Sequence, residues 1–560
     1  MSSLVILLIS LVVFVGAYFT YGSYLAKSWG LNPNRPTPAH TMTDGVDYVP
    51  AKAPVLMGHH FASIAGAGPI NGPIQASVFG WLPVLLWIII GGIFFGAVHD
   101  FASLFASVRH EGKSIGNVIE VNIGRRGKRL FLAFGWFTLL LVIAAFASIV
   151  QGTFTVSDPA VSTANGSVAT ASLLFIVLAI AFGFLVYRKN APLAVSSIVG
   201  VILLAACIWI GLAAPIVNVS STVWLIFILV YIMVACVTPV WILLQPRDYL
   251  NSFLLYAMML LAVIGVVCAN PSMNMPAVVG WEVEGMGTMF PVLFITVACG
   301  AISGFHSLVG SGTTSKQLNK ESDAKAIGYG GMLIECFLAV LALIAVCALG
   351  GQQGTPAVTF ATGISSFFSA IGAPEGVTTV IFTVITLAVS AFALTSLDTA
   401  ARMGRFLFQE FFVNEGEDVK SLTGVRKFLV NPYVATVITV GLGGLLAVGG
   451  YSKIWPLFGA ANQLLAGLAL LACCVWLGKV GKKNGAFYFP MAFMTVATIT
   501  SLAITLKNQL GSLIMGTAKD PLAAVLQTLF AIVLIALAVI LVIEGIKALI
   551  NNKKEKSAAA

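Results

Sequence analysis

Glu335 stands in the apolar stretch Met332-Leu333-Ile334-Glu335-Cys336-Phe337, about ten residues into a run of hydrophobic side chains. At about 1.5 Å of rise per residue that is about 15 Å from the end of a helix, near the middle of a bilayer. A carboxylate at that depth is costly unless it is paired, hydrated or protonated, so Glu335 is a candidate proton carrier. The competing reading is a structural acid bonded to hydroxyls of neighbouring helices. His306 lies in a glycine-rich stretch with Ser303, Ser307, Ser311, Thr313 and Thr314, donors and acceptors suited to a polar solute. Ser63, Gly66, Gly68 and Asn71 form a second such stretch. Asn462 and Gln463 interrupt another apolar run and either line a pathway or tie helices together.

Further polar residues have weaker claims. Thr395 and Ser396 offer hydroxyl oxygens, hard ligands for Na⁺, but hydroxyls also bond back to their own helix. Asp398 has Arg402 one turn later and reads mainly as a local ion pair. His59 and His60 are adjacent, and Asp100 follows His99; imidazoles and a carboxylate bind metals or relay protons. Adjacent histidines point to different helix faces, and no Cys or His spacing repeats a metal motif, so gating or hydrogen bonding is the expected role and no metal is expected. Arg247 and Asp248, after Pro246, read as a clamp in a short turn. No nucleophile and base sit at one depth, and no P-loop is present, which argues against an enzyme and against ATP-driven transport.

The elements that must carry these residues are membrane helices. The 560 residues are 59% hydrophobic and 9% charged, where soluble chains carry about 25% charged residues. About fifteen apolar runs of about 20 residues recur, each enough to cross a hydrocarbon core as helix. The fold class is therefore all-α and polytopic, in the plasma membrane. The net charge of +9 lies in short clusters between runs, at 109–129, 188–189, 316–325, 402–427, 479–483 and 547–556, which orient a membrane protein and do not suggest nucleic acid. Loops around Asp158, Pro215, Glu282 and Gly354 lack Lys and Arg, and only Lys453, Lys507 and Lys519 break the alternation. The basic loops are placed in the cytoplasm, with the amino terminus outside and the carboxyl terminus inside. All eight cysteines fall in or beside apolar runs, so no disulfide framework is expected. The first run, from about Ser3 to Ala26, reads as a retained anchor.

The chain contains an internal repeat. Phe61-Ala62-Ser63-Ile64-Ala65-Gly66-Ala67-Gly68 and Phe305-His306-Ser307-Leu308-Val309-Gly310-Ser311-Gly312 share one pattern, and the same offset carries the first apolar run onto the eighth. Charge alternation gives the two copies opposite directions. Residues 1–245 and 246–510 are thus expected to be inverted repeats of about seven spans each, with broken helices near 61–73 and 300–314, followed by an extra helix and basic tail over 511–560. The glycines and prolines of both segments weaken a continuous helix, and Ser63–Asn71 and Ser307–Thr314 are expected to be non-helical and close together. Unwound backbone inside a membrane offers N–H and C=O groups to a solute. The alternative is close packing through small residues. This organisation points to a secondary transporter of a small nutrient rather than to a channel.

Several stretches resemble the carbon starvation protein A family of bacterial inner-membrane transporters. They are Asp44-Gly45-Val46-Asp47-Tyr48-Val49-Pro50, Gly58-His59-His60-Phe61 leading into Ala65-Gly66-Ala67-Gly68-Pro69-Ile70-Asn71-Gly72-Pro73, Gln245-Pro246-Arg247-Asp248-Tyr249, Ser303-Gly304-Phe305-His306, Ser311-Gly312-Thr313-Thr314 and Thr395-Ser396-Leu397-Asp398-Thr399. The resemblance implies uptake of peptides or pyruvate in carbon starvation, with protons coupled to pyruvate, and a LeuT-like core. In that architecture Thr395 and Ser396 fall where sodium carriers place two hydroxyls. The implied partners are a peptide or small carboxylate and membrane lipid, with H⁺ or Na⁺ as coupling ion and no cofactor; the sequence assigns no oligomeric state.

Overall fold

The computed structural model describes every residue except 1, 46, 156–161, 190, 217–218, 240–241, 415–416, 418–420, 449–450, 519 and 560. Val46, Asp158 and Lys519, which entered the sequence reading, lie outside the described residues. Twelve described helices are long and apolar enough to cross a membrane, or thirteen if Gly424–Val430 and Pro432–Ala447, bent by 67°, form one span. The expected count of about fifteen is not reached on that measure. Ser221–Val237 is apolar but has 17 residues, and 53–76 is divided into Ala53–Ile64 and Gly68–Ala76, of 12 and 9 residues.

Helix is the element that satisfies its own backbone without water, which is why these Leu, Ile, Val, Ala and Phe runs adopt it. Their burial sorts them into layers. The most apolar stretch of Ile454–Lys479 is wholly buried and that of Met289–Gln317 89% buried, whereas those of Ser3–Trp29 and Pro521–Asn551 are each 28% buried and form the periphery. Arg125–Phe154 and Glu375–Phe411 run antiparallel through the interior. A Cβ on Gly135 would meet Leu407, one on Gly404 approaches Leu139, and Thr153 Oγ1 donates to Ser390 Oγ at 2.9 Å. Small residues at this seam let the two backbones close.

The basic helix ends gather on one side. Arg109 bonds Glu321 and the Gly30 carbonyl, Lys128 bonds Glu120 and Glu410, and Lys479 reaches the Val121 carbonyl. At the opposite end Asn274 donates to the Ala348 carbonyl, and a two-stranded hairpin pairs Glu282–Val283 with Gly287–Thr288.

The two motif-bearing helices cross antiparallel at their breaks. The first is interrupted at 65–67, where Ala65 adopts φ −74°, ψ 63°. The second departs from helix around 301–303, where Ser303 adopts φ −140°, ψ 124°, just after Ala298 with its strained φ of 44°. Ser307–Thr314 is itself helical, contrary to the expected unwinding. Gly310–Thr314 relaxes into a π-turn rather than breaking, since widening one turn accommodates the glycines while keeping backbone bonds. Close approach requires glycine at Gly72, where a Cβ would run into the carbonyls of Thr296 and Val297, and at Gly304, where it would meet the backbone of Asn462 and Ala466.

Candidate functional site

Three helices converge on His306. It lies just beyond the second break, Asp100 comes from Trp81–Arg109, and Glu335 comes from Lys325–Ala348. His306 Nδ1 is 2.8 Å from Asp100 Oδ2, and His306 Nε2 is 3.5 Å from Glu335 Oε2. The other Asp100 oxygen is 2.7 Å from His99 Nδ1. All four side chains are buried, and neither Glu335 oxygen has a hydrogen-bond partner among the described residues. An imidazole held between two carboxylates in a dry interior is a geometry for holding and passing a proton. Cys299, His306 and Glu335 also bring one ligand atom each within 4.8 Å of one another.

Other residues shape the breaks. Asn462 Oδ1 accepts from the Phe305 N–H at 2.9 Å, and Asn462 Nδ2 donates to Ser303 Oγ at 3.1 Å. Asn462 therefore caps, from another helix, the exposed start of Gly304–Val309. His60 Nδ1 lies 2.8 Å from Thr314 Oγ1 and ties the first broken helix to the second. Gly68 abuts Cys299. No partner is found among the described residues for the N–H groups of Ala67 and Gly68 at the start of Gly68–Ala76, and Asn71 Oδ1 nearby is buried and unpartnered. Free donors at a helix start suit a carboxylate.

A second buried group lies on the other side of the first break. The Arg247 guanidinium donates to Asp398 Oδ2 and to Tyr231 Oη at 2.8 Å, and to Asp248 Oδ1 at 3.2 Å. Asn251 Nδ2 donates to Thr395 Oγ1 at 2.7 Å, and half-buried His59 approaches Asp248 at 3.7 Å. Ser396 Oγ is buried without a partner, and a Cβ on Gly66 would lie 2.7 Å from it. Two sequence expectations are corrected here. Arg247 and Asp248 are not a turn clamp: they are 1% and 0% exposed at the start of Leu244–Ala269. Asp398 does not pair with Arg402, which donates to the carbonyls of Ala235 and Thr238 at the end of Ser221–Val237. Buried Asp398 takes the charge that packing brings to it, while Arg402 satisfies orphan carbonyls at a helix end.

Of the sequence candidates, Asp100, Ser303, His306, Glu335 and Asn462 thus gather at the second break, His60 and Thr314 join the two broken helices away from it, and His59, Gly66, Thr395, Ser396 and Asp398 line the inner flank of the first. Ser63, Ser307, Ser311 and Thr313 bond back to carbonyls of their own helices. Ser311 Oγ also accepts from the Ile115 N–H, and Gln463 holds the Phe294 carbonyl at 2.7 Å; these join helices. Cys299, Tyr231 and Asn251 were not singled out from the sequence. Asn251, a polar residue one turn beyond Arg247 in a long apolar run, carried a usable signal; Cys299 and Tyr231 resemble ordinary span residues.

Comparison with known proteins agrees with this architecture. The chain matches the family described as Carbon starvation protein CstA over residues 2–354 and 350–501. It is 32% identical to the peptide transporter CstA of Bacillus subtilis, covering 98% of this chain and 97% of that one. It is 33% identical to the pyruvate/proton symporter BtsT of Escherichia coli, covering 90% and 82%. Among solved structures, a variant of the Eremococcus coleocola manganese transporter superposes with a TM-score of 0.50 at 11% identity, covering 91% of this chain and 99% of that one, a likeness of fold. The core is LeuT-like, and the protein is a multi-pass inner-membrane transporter rather than an enzyme. The chain belongs to the carbon starvation protein CstA family.

Proposed function

We propose that the protein imports a small carboxylate-bearing nutrient, a peptide or pyruvate, in symport with a proton. The observation that carries this reading is the buried chain from Asp100 through His306 to Glu335 at the break of the second helix. Glu335 binds the proton, and His306, anchored by Asp100, passes from stabilising the ionised acid to stabilising the loaded site. The solute carboxylate meets the free N–H groups at Ala67 and Gly68. A peptide also needs an acceptor for its amino group. Both oxygens of Asp100 are engaged by histidines and Glu335 carries the proton, so the amino group is left to carbonyls freed at the helix breaks. The names of the two relatives, one a peptide transporter and one a pyruvate/proton symporter, support both solute classes.

A sodium-coupled reading draws on the unpartnered Ser396 hydroxyl facing Gly66. Uptake of pyruvate, dipeptides and amino acids into proteoliposomes, with proton and sodium gradients imposed separately, tests both. Symport predicts saturable uptake driven by the proton gradient alone, with counterflow. Accumulation driven only by sodium, or non-saturating flux, contradicts it.

A further inference from the structure

Away from the transport site, an open apolar groove of about 290 Å³ runs along the outside of the bundle. Leu11, Phe14 and Tyr18 of the amino-terminal helix form one wall, Leu333 and Phe337 the other, and Met57 of the first broken helix part of its floor. All the groove residues are apolar apart from the Tyr18 hydroxyl and backbone, so the groove suits a hydrocarbon chain. Each of the three segments that build it carries a lysine at the same end. Lys27 lies near the end of Ser3–Trp29, Lys52 is the N-cap of Ala53–Ile64, and Lys325 begins Lys325–Gly330 directly before the lining residue Ala326. Lys325 Nζ sits 4.2 Å from the Tyr18 ring centroid and donates to Ser23 Oγ at 3.1 Å, at the mouth. Lys27 and Lys52 are exposed. Of the two acids just before Lys325, Glu321 pairs with Arg109, which leaves Asp323 against three lysines.

We infer that the groove is a binding site for an acidic phospholipid, with one acyl chain between Phe14 and Leu333 and the phosphate at Lys325 and Lys52. Charge complementarity selects the occupant: an alkyl chain alone would fill the groove, but the lysine at the end of every wall matches an anionic headgroup at the interface. Lysine suits this place because its aliphatic stem lies along apolar surface while the ammonium reaches the headgroup layer. Its apolar wall includes Met57, two residues before His59, so lipid occupancy bears on the first half of the first broken helix. This inference is independent of the transported solute.

Native mass spectrometry of the full chain tests it, with dioleoyl phosphatidylglycerol and dioleoyl phosphatidylcholine as probes. Wild type is expected to retain one phosphatidylglycerol under activation that strips phosphatidylcholine. Lys325→Gln should weaken phosphatidylglycerol retention about five-fold, and the Lys52→Gln/Lys325→Gln pair about 25-fold, at about 1 kcal/mol per lysine. Lys325→Arg should retain it, which separates loss of charge from loss of fold. Leu333→Trp, which fills the groove, should weaken retention with the lysines intact. Equal retention of the two lipids by wild type, or unchanged phosphatidylglycerol retention in the Gln pair or in Leu333→Trp, overturns the site.

Discussion

Arg247 and Asp398 form a buried ion pair across 151 residues of sequence, joining Leu244–Ala269 to Glu375–Phe411 beside the first helix break. Removing one partner leaves the other charge uncompensated in a dry interior, a cost of about 3 kcal/mol or more. Asp398→Asn and Arg247→Gln are each expected to lower the unfolding temperature of the detergent-solubilised protein, followed by size-exclusion after heating. The Arg247→Gln/Asp398→Asn pair should recover part of the loss. Equal stability of the single variants and wild type would show that the pair is not needed.

Crossing of the broken helices depends on a missing Cβ at Gly72. Gly72→Ala forces a methyl group against the Thr296 and Val297 carbonyls, and overpacking of this kind costs about 1–3 kcal/mol. We expect reduced yield of folded protein and loss of transport. Gly16→Ala, where nothing lies within 4 Å of the added carbon, should behave as wild type. Normal transport by Gly72→Ala would show that the helices need not approach so closely.

Sidedness can be read with a membrane-impermeant thiol reagent on intact cells. Cys268 is the one exposed cysteine among the described residues, and it lies toward the end of the bundle assigned to the outside. It should label, and Cys268→Ser should remove that signal. Adding Lys113→Cys to that background should restore no labelling until the cells are opened. External labelling at position 113 would reverse the orientation.

Both breaks were legible because glycine and proline act locally, on the residues that carry them. The second break still lies upstream of the motif: Ser311, Thr313 and Thr314 read as unwound, yet a π-turn absorbs Gly310 and Gly312. Glu335 could be singled out by its burial cost and His306 by its place in the glycine-rich segment, but their 3.5 Å approach could not, because it arises from packing between successive helices. Arg247 was misread for a related reason. Charges at the end of an apolar run resemble a loop, and nothing local in the sequence indicates that Asp398 waits 151 residues away.

His60 and Thr314 form the polar tie between the two broken helices, at 2.8 Å. Thr314→Val removes the hydroxyl while keeping the shape, leaving a buried imidazole nitrogen unpaired at about 1–3 kcal/mol. If the tie holds one conformation of the carrier, Thr314→Val shifts the apparent KM for uptake and Thr314→Ser restores it. Identical kinetics in wild type, Val and Ser variants would confine the bond to packing.

The central claim is that Glu335, facing His306, links proton binding to movement of solute. Glu335→Gln keeps size and most hydrogen bonding but cannot release a proton. The direct measurement is pyruvate or dipeptide uptake by Glu335→Gln proteoliposomes under an imposed proton gradient, beside exchange with internal solute at equal pH. The account predicts that accumulation against the gradient disappears while exchange persists. Accumulation equal to wild type would contradict it.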